Sequence, residues 1–509
     1  MKRFPGFWLI GSPVFAAFVI HLGASPSAGA GQTQLQDETI KAFCVDFNWG
    51  DGGPNGFARP GLWADASPAE HAAWYAGVGC NVIQTFAVSC NGYAWYKNGF
   101  VPEQPGMKSD FLTEMVRLGR ERKMRVMGYF CVGANTRWGL EHPELSYGAP
   151  SAPHIPFTNA YLDYLCASIE DALKKTDMDG FMIDWVWNPG DLDSGKLRWL
   201  ECEKAMYAEL FGEAFPGDGA VSPERELEFR RRAAARCWER IRASAKRAKP
   251  DCVIWLSCCN VNSPVVVNSK MFAEVDWLMN EAPDAGALAR TEAMKGPHTR
   301  LIQCVVGWGD NHDARSIVSG DAPGKYGIYG FAKPGPDSLP LRAAEYRTRP
   351  IISFRGNDRN IAVLSRFFNG QPLDMIVKPA ADNAIMLTPE TANAAGNSPV
   401  MADGQIGDWG NPKDSVFWLV DAGGRGRFEA HIEYAVAAGM GGSLFTVRIG
   451  DKSFDLESAD TGSWRNYRTF KIGVAELNEP GIFRVSVEPR DANRWKAISL
   501  KSLSLMPAR

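Results

Sequence analysis

The sequence lacks an excess of basic residues. Its 55 Lys and Arg are set against 58 Asp and Glu, which gives a formal net charge of −3. Proteins that bind nucleic acids concentrate positive charge to meet the phosphates, so this composition argues against a nucleic-acid partner. A hydrophobic content of 45% and a charged content of 22% are typical of a soluble globular protein. Because 509 residues exceed one ordinary core, we expect a large domain and a smaller one.

Cysteine is absent after Cys304, and all 11 cysteines lie between Cys44 and Cys304. No His, Cys and carboxylate residues recur at metal-ligand spacing, so we predict no metal and no cofactor. Several cysteines fall inside apolar runs, which indicates small buried side chains, with one or two disulfides as the alternative. No glycine-rich phosphate loop follows the first apolar run, which disfavours a doubly wound, dinucleotide-binding sheet.

Residues 1–30 have the pattern of a signal peptide. Lys2 and Arg3 precede the apolar stretch "FWLIGSPVFAAFVIHLGA", and "SAGA" offers a small-residue cleavage site after Ala30. No cysteine follows the apolar stretch, which disfavours a lipoprotein anchor. We therefore expect export to the periplasm or the extracellular space and no membrane attachment after cleavage. An uncleaved anchor is the alternative.

Eight apolar runs alternate with helical patterns over residues 41–378. The runs are "AFCVDFNW", "NVIQTFAVS", "RVMGYFCVG", "GFMIDWVW", "CVIWLSCC", "VDWLMNEAP", "RLIQCVVGWG" and "YGIYGFAKP". Most are continuously apolar, as expected of parallel strands that are covered on both faces. The helical patterns include a basic-rich one from Pro223 to Lys249 and one that Asp110 is expected to cap. This alternation predicts an α/β fold, a (β/α)8 TIM barrel, with an open doubly wound sheet as the competitor.

Residues 380–509 have a different pattern. Segments such as "SLFTVRIGDKSFDLES" and "GIFRVSVEP" alternate apolar with polar residues and are separated by Gly, Asp and Asn. Alternation of this kind is typical of antiparallel strands with one buried face. It predicts a C-terminal antiparallel β-sandwich.

Polar and aromatic residues crowd the carboxyl ends of the predicted barrel strands. Barrel enzymes keep their chemistry at these ends, because the loops there converge on one pocket. The candidate site residues are Asp46 and Trp49 after the first run, Asn91 and Tyr93 after the second, Tyr129 and Asn135 on and after the third, Asp184, Trp185 and Trp187 at the fourth, Asn260 after the fifth, Glu281 after the sixth, and Trp308 and His312 after the seventh.

This set of residue types suits a sugar. Aromatic rings pack on the C–H faces of a pyranose, and polar side chains hydrogen-bond its hydroxyls. Asp184 and Glu281, on strands four and six, are placed to flank a glycosidic bond, with Asp184 as the nucleophile. The alternative is that Asp184 caps a helix or pairs with an arginine. Asp310 and His312 are the alternative candidates for the acid.

The segments "NVIQTFAVSCNGYAWYKNGF" and "RVMGYFCVG" resemble the proteins called hypothetical glycosyl hydrolase family 6 and, more distantly, the α-L-fucosidases of glycoside hydrolase family 29. "DMDGFMIDWVW" and "VDWLMNEAPD" are similar to the nucleophile segment and the glutamate segment of that fucosidase group. The resemblance implies a retaining barrel glycosidase with Asp184 as nucleophile and Glu281 as acid/base. Fucosidases usually have a histidine pair before the Gly-aromatic turn. Ser89 and Cys90 stand there in this chain, so the resemblance implies the class of substrate rather than the sugar.

The tail segments "GQIGDWGNPKDSVFWLV", "TGSWRNYRTFKIG" and "AISLKSLSLMP" resemble carbohydrate-binding modules of the galactose-binding-like type. The leading interpretation is thus a secreted, exo-acting, α-L-fucosidase-like hydrolase whose partner is a polysaccharide or glycan. An endo-acting hydrolase of a fucose- or galactose-containing polysaccharide, sulfated or not, is one alternative. A non-catalytic carbohydrate-binding protein is the other.

Overall fold

The structure of the chain, a computed structural model, describes residues 38–508 except 51, 187–198, 259, 282–284, 307–313, 321–324, 333–357, 374, 396–399, 403–404, 408 and 479. Eight parallel strands in the described part close into a barrel in chain order. They are β1 (Lys41–Val45), β2 (Val82–Gln84), β3 (Arg125–Cys131), β4 (Gly180–Asp184), β5 (Val253–Cys258), β6 (Trp277–Asn280), β7 (Arg300–Val306) and β8 (Gly327–Ala332). Each of the eight apolar runs contains one of these strands to within one residue, so the predicted barrel is confirmed.

Helices follow the strands and cover the barrel. They are α1 (Pro68–Val78), α2 (Phe111–Glu121), α3 (Thr136–Glu141), α4 (Asn159–Thr176), α5 (Glu201–Phe211), α6 (Pro223–Ala248), α7 (Lys270–Glu274), α8 (Ala285–Met294), α9 (Ala314–Ser319) and α10 (Asp358–Phe368). Helix α6 matches the predicted basic helix to within one residue. Short 3₁₀ turns lie at Pro54–Gly56, Pro143–Leu145 and Pro389–Thr391.

Side-chain caps explain where several helices begin. The hydroxyl of Ser67 accepts a hydrogen bond from the backbone of Glu70 at 3.3 Å, and Ser222 caps α6 in the same way. The expectation that Asp110 caps α2 is wrong, because its side chain makes no capping hydrogen bond. Instead its carboxylate accepts from the backbone N–H of Lys97 at 3.3 Å.

The barrel closes where β1 pairs with β8, from Lys41 opposite Ile328 to Val45 opposite Ala332. Helix α10 packs beside α1 at this seam, and the Lys41 ammonium donates to the carbonyl of Phe368 at 2.7 Å. The interior and the helix-facing sides of the strands are apolar, so one continuous hydrophobic core fills the barrel and the layer below its helices. No helix in the described ranges is both long and apolar enough to cross a membrane.

Two antiparallel sheets follow the barrel and face each other, which confirms the predicted sandwich. One sheet has β10 (Ile385–Leu387), β12 (Val400–Ala402), β13 (Gln405–Gly407), β15 (Gly426–Ala435), β18 (Arg468–Leu477) and β20 (Ser499–Pro507). The other has β9 (Ile376–Val377), β11 (Asn393–Ala395), β14 (Ser415–Asp421), β16 (Leu444–Ile449), β17 (Lys452–Glu457) and β19 (Ile482–Pro489). Strand β14 buries every second residue, so its inward side chains build a separate core around Trp418.

Candidate active site

A cavity of about 190 Å³ opens at the carboxyl end of the barrel strands. Side chains alternate along a strand, so residues two apart share one face. Met182 and Asp184 therefore face the barrel interior together on β4, as Met279 and Glu281 do at the end of β6. The cavity is lined by Asp46, Asn48, Trp49, Gln84, Phe86, Cys90, Tyr129, Met182, Asp184, Trp185, Ser257, Met279, Glu281, Tyr329 and Phe331.

Asp184 is the last residue of β4, and two donors hold its carboxylate. The hydroxyl of Tyr129 donates to Oδ2 at 3.0 Å, and the backbone N–H of Trp185 donates to Oδ1 at 2.8 Å. Tyr129 is in position because β3 and β4 pair in register, with Cys131 opposite Asp184. The carboxylate is thus fixed by its neighbouring strand and by the chain that immediately follows it.

The turn after Asp184 has an unusual backbone. Trp185 adopts a left-handed conformation with φ of 60°, which costs a residue other than glycine on the order of 1–3 kcal/mol. Its carbonyl oxygen lies so close to Gly133 that a Cβ there would stand 2.2 Å away. Glycine at 133 therefore permits the turn that points both the Trp185 N–H and the Trp185 ring towards the cavity.

Glu281 reaches the same cavity from the end of β6, two strands along the barrel from β4. Its backbone N–H donates to the carbonyl of Cys258 at 3.2 Å, which continues the pairing of β5 and β6 beyond Asn280. The hydroxyl of Ser257 donates to its carboxylate at 3.2 Å. The two predicted catalytic carboxyls therefore line one cavity, from strand ends that β5 separates.

Aromatic rings form one wall of the cavity. Trp49 and Trp185 line it, and the buried ring of Phe57 lies between them, 5.4 Å and 5.9 Å from their respective ring centroids. His154 packs on the other side of Trp185, with ring centroids 5.0 Å apart. The indole N–H of Trp49 donates to Asp46 Oδ2 at 3.0 Å, so this wall is tied to the third carboxyl of the cavity.

Burial dominates the electrostatics of the site. It raises the pKa of Asp184 well above its ordinary range, and the charge of Glu281 adds to this, while hydrogen bonds from Trp185 and Tyr129 oppose it. Burial and the charge of Asp184 likewise raise the pKa of Tyr129, so the phenol keeps its proton. Two carboxyls that repel each other in a buried site retain one proton between them to a higher pH than either would alone. The proposed roles require this proton to reside on Glu281 when substrate binds, with Asp184 ionised.

Four predicted substrate contacts lie outside the cavity lining. Asn135 caps α3, since its side chain accepts from the backbone of Trp138 at 2.9 Å. Asn91 is buried and exchanges hydrogen bonds with Gln104. The ring of Tyr93 packs under the guanidinium of Arg137. Asn260 is exposed, and its side chain accepts from the backbone of Asn262 at 3.2 Å.

The other predicted residues divide into two groups. Asp46, Trp49, Tyr129 and Trp185 line the cavity with the two catalytic candidates. Trp187, Trp308 and His312 lie outside the described residues, as does Asp310, and their roles stay predictions. In the described part of the chain, no group of three or more His, Cys, Asp or Glu side chains is arranged to hold a metal ion.

Several lining residues inside the strands, above all Gln84 and Tyr329, were not predicted from the sequence. The Tyr329 hydroxyl donates to Gln84 Oε1 at 2.9 Å, which places an amide and a phenol at the cavity floor. Both sit in nearly continuous apolar runs, where a polar side chain is easily overlooked. Counting back in steps of two from each strand-end residue would have found Met182 and Met279, because inward positions alternate.

Residues 68–185 match the protein family described as hypothetical glycosyl hydrolase 6. The matched segment covers less than half of the chain, begins at α1 and ends just after Asp184. It confirms the resemblance that the sequence motifs indicated. No curated protein is significantly similar to the chain. The matched residues form the part of the barrel from α1 to β4.

Solved structures resemble the chain at low identity. An α-L-fucosidase isoenzyme 2 from Paenibacillus thiaminolyticus is 14% identical over 68% of this chain and 53% of its own, with a TM-score of 0.45. The PgaB (BpsB) glycoside hydrolase domain from Bordetella bronchiseptica is 13% identical over 61% of this chain and 97% of its own, with a TM-score of 0.41. CBM35 from Cellvibrio japonicus Abf62 is 19% identical over 25% of this chain and 94% of its own, with a TM-score of 0.21. The chain spans about half the length of the fucosidase, and such similarities concern the fold alone.

Proposed function

We propose that the chain is a retaining glycoside hydrolase that removes a terminal sugar from a glycan or polysaccharide. The proposal rests on one observation: Asp184 and Glu281 line the same cavity, and Trp49 and Trp185 line it too. Two carboxyls are the chemical requirement for hydrolysis of a glycosidic bond, and aromatic rings are the usual surface for a sugar. The match of residues 68–185 to a glycosyl hydrolase family supports the same conclusion.

In the proposed mechanism, Glu281 protonates the glycosidic oxygen while the Asp184 carboxylate attacks the anomeric carbon. This forms a glycosyl-enzyme and releases the remaining glycan. Glu281, now ionised, takes a proton from water, and that water displaces Asp184. Tyr129 and the Trp185 N–H favour the ionised form of Asp184, because each donates a hydrogen bond to its carboxylate. A retaining mechanism requires the two carboxyls about 5–5.5 Å apart.

Removal of a single terminal sugar is the mode of action that we infer from the cavity. Its volume of about 190 Å³ is below the roughly 300–1,000 Å³ typical of pockets for drug-sized ligands. A cavity of this size suits one small unit at a time. An α-L-fucosidase-like specificity is the first to test, on the basis of the resemblance in sequence. We also propose that the chain is exported and that the sandwich binds carbohydrate.

A screen of p-nitrophenyl glycosides, including the α-L-fucoside, tests the proposal with purified full-length protein. Proton NMR of the first sugar released then gives its anomeric configuration. We expect hydrolysis of at least one glycoside with retention, and no hydrolysis by Asp184→Asn prepared in the same way. Release of the inverted anomer, or turnover that persists in Asp184→Asn, would contradict the mechanism.

A further inference from the structure

A turn holds Cys90 at the cavity. The Cys90 thiol has no role in the proposed mechanism. The thiol is 1% exposed and lines the cavity. The Cys90 N–H donates to Asn48 Oδ1 at 2.9 Å, and the Cys90 carbonyl accepts from the Thr136 N–H at 3.0 Å. These contacts come from the loop after β1 and from the first residue of α3, so the backbone of Cys90 is fixed on both sides.

The Cys90 thiol contacts the residue that holds the candidate nucleophile. Its Sγ lies 3.8 Å from the hydroxyl of Tyr129, and that hydroxyl lies 3.0 Å from Asp184 Oδ2. A phenol has one proton, and an ionised carboxylate can only accept. When Asp184 is ionised, the proton of Tyr129 must therefore point at Asp184. The oxygen of Tyr129 is then the acceptor in its contact with Cys90, and the thiol is the donor.

We propose that Cys90 is a positioning residue: its thiol donates to Tyr129 and thereby strengthens the hydrogen bond from Tyr129 to Asp184. Hydrogen bonds in a chain polarise one another, and the effect is larger in a buried site than in water. The inference rests on the proposed function only because that function makes Asp184 the nucleophile. The hydrogen-bond chain itself belongs to the protein without substrate.

The thiol is suited to this role because it stays neutral. Burial and the nearby Cys131 and Asp184 raise the pKa of Cys90 well above its ordinary range, so it remains a donor at neutral pH. The other ionisable groups that act on Asp184 are Glu281 from the end of β6 and Asp46 from the end of β1, and both raise its pKa. Replacing Cys90 leaves both of these carboxyls in place, so a change in their charge does not contribute to the measured shift.

Three variants of the full-length chain test the proposal, namely Cys90→Ala, Tyr129→Phe and the double substitution. The measured quantity is the pKa of Asp184 in the ligand-free protein. Infrared difference spectra recorded across pH give it, with Asp184→Asn as the reference that identifies the carboxyl band. The acidic limb of the pH profile of kcat/KM gives the same quantity for the active enzyme.

We expect Cys90→Ala to raise the pKa of Asp184 by about 0.3, which is a modest fraction of the effect of one charge-assisted hydrogen bond. Tyr129→Phe should raise it by about 1, because the whole bond is lost. The double variant should match Tyr129→Phe, since Cys90 acts only through Tyr129. Cys90→Ser, whose hydroxyl sits on a shorter bond, should fall between the native protein and Cys90→Ala. Cys80→Ala, which removes a buried thiol away from the cavity, should cause no shift.

An unchanged pKa in Cys90→Ala, or a Cys90→Ala shift that is fully retained in the Tyr129→Phe background, would overturn the proposal. If Cys90→Ala does not fold, Cys90→Ser gives the same decision in the same two backgrounds. The infrared measurement needs no substrate. Absence of turnover on every glycoside would therefore count against the proposed function alone and would leave the test of Cys90 intact.

Discussion

The barrel and the sandwich differ in the environment of their ionisable groups. Around the barrel cavity, burial above all raises the pKa of the acids Cys44, Cys90, Tyr129, Asp184 and Tyr329. In the part of the sandwich that the structure describes, a hydrogen bond from Lys471 lowers the pKa of the partly exposed Glu429, and burial raises that of Tyr434. Groups with strongly perturbed pKa values concentrate at functional sites, so the contrast favours the barrel as the place of any chemistry.

The two kinds of strand explain this contrast. Strand β3 is buried along almost its whole length, because helices cover one face and the barrel interior the other. A polar side chain on such a strand is desolvated wherever it points. Strand β14 buries only every second residue, so its polar side chains can face water. Desolvated acids at converging strand ends are thus a consequence of the closed parallel barrel.

The largest difference between the two regions should be in kcat, when one aspartate in each is changed to asparagine. Asp184→Asn removes the proposed nucleophile, and loss of a nucleophile costs on the order of 10⁴-fold or more in kcat. Asp414→Asn is the matched change in the sandwich, at a carboxylate that is 4% exposed and accepts from Asn411 at 2.9 Å. It should leave kcat on a small soluble glycoside within about twofold. Equal losses in the two variants, with both folded, would remove the distinction between the regions.

Glu281→Ala should show that Glu281 has a different catalytic role from Asp184. General acid catalysis contributes roughly 10²–10⁴-fold, and leaving groups that are already stable anions need least of it. We therefore expect a loss of about 10³-fold on a natural glycan and a much smaller one on a p-nitrophenyl glycoside. Steady-state kinetics on the two substrates measure the difference. The same loss on both would mean that Glu281 is not the acid, and Asp310 or His312 would be the next candidates.

Much of the fold could be predicted because burial leaves a regular trace in sequence. The eight mostly apolar runs each contain a barrel strand to within one residue, and the alternating tail forms the sandwich. Helix α2 begins directly after Asp110, as expected, but the capping contact was misread, because an aspartate before a helix usually caps it, whereas Asp110 binds the backbone of Lys97. That contact depends on the path of a loop, which no local pattern contains.

The site was predictable where strand ends converge and less so in the loops. Asp184 and Glu281 could be placed because each ends an apolar run, and the barrel brings such ends together. Asn135 and Asn260 were misread because an amide that caps a helix or closes a turn looks the same in sequence as one that binds a ligand. The contact of Cys90 with Tyr129 joins the loop after β2 to β3 and depends on side-chain geometry, so it required the structure.

The sandwich should bind carbohydrate through an exposed aromatic residue, if the proposal for this region is right. Trp464 is 40% exposed on a loop that Thr461 and Asn466 hold in place through hydrogen bonds to the backbone. A preformed aromatic surface of this kind suits the face of a sugar ring. Trp464→Ala should weaken binding to an insoluble polysaccharide by about tenfold, or ~1.4 kcal/mol, without changing kcat on a small glycoside.

A matched control is Ile482→Ala, which removes another exposed apolar side chain from the sandwich, at 56% exposure. Pull-down binding isotherms on a panel of polysaccharides measure both variants against the native chain. Because Ile482 is aliphatic and cannot present a ring to a sugar, its loss should leave binding unchanged. If the two variants weaken binding equally, Trp464 acts as a general apolar contact. If neither does, the sandwich does not bind carbohydrate through this loop.

The smallest effect that we predict is a shift in the thermal midpoint of unfolding. Its sign differs between a substitution in the barrel and one in the sandwich. Burial raises the pKa of Asp184 in the folded protein above the ordinary value of 3.8. Below that pH, both the folded and the unfolded chain carry the proton, and the group has no effect. As the pH rises through 3.8, the unfolded chain ionises first, so the folded state becomes relatively less stable.

Asp184→Asn should therefore raise the thermal midpoint at pH 7 by about 2 °C, and the gain should disappear near pH 4. The amide can keep both contacts, since its oxygen can accept from the Trp185 N–H and its NH₂ can donate to a rotated Tyr129 hydroxyl. Asp414→Asn should instead lower the midpoint at pH 7, because it weakens the hydrogen bond that Asn411 donates to the carboxylate. Calorimetry of both variants at the two pH values gives the comparison. A lower midpoint for Asp184→Asn at pH 7 would show that the carboxylate stabilises the barrel. Asp184 would then be a structural residue, and not a catalytic one whose burial lowers the stability of the fold.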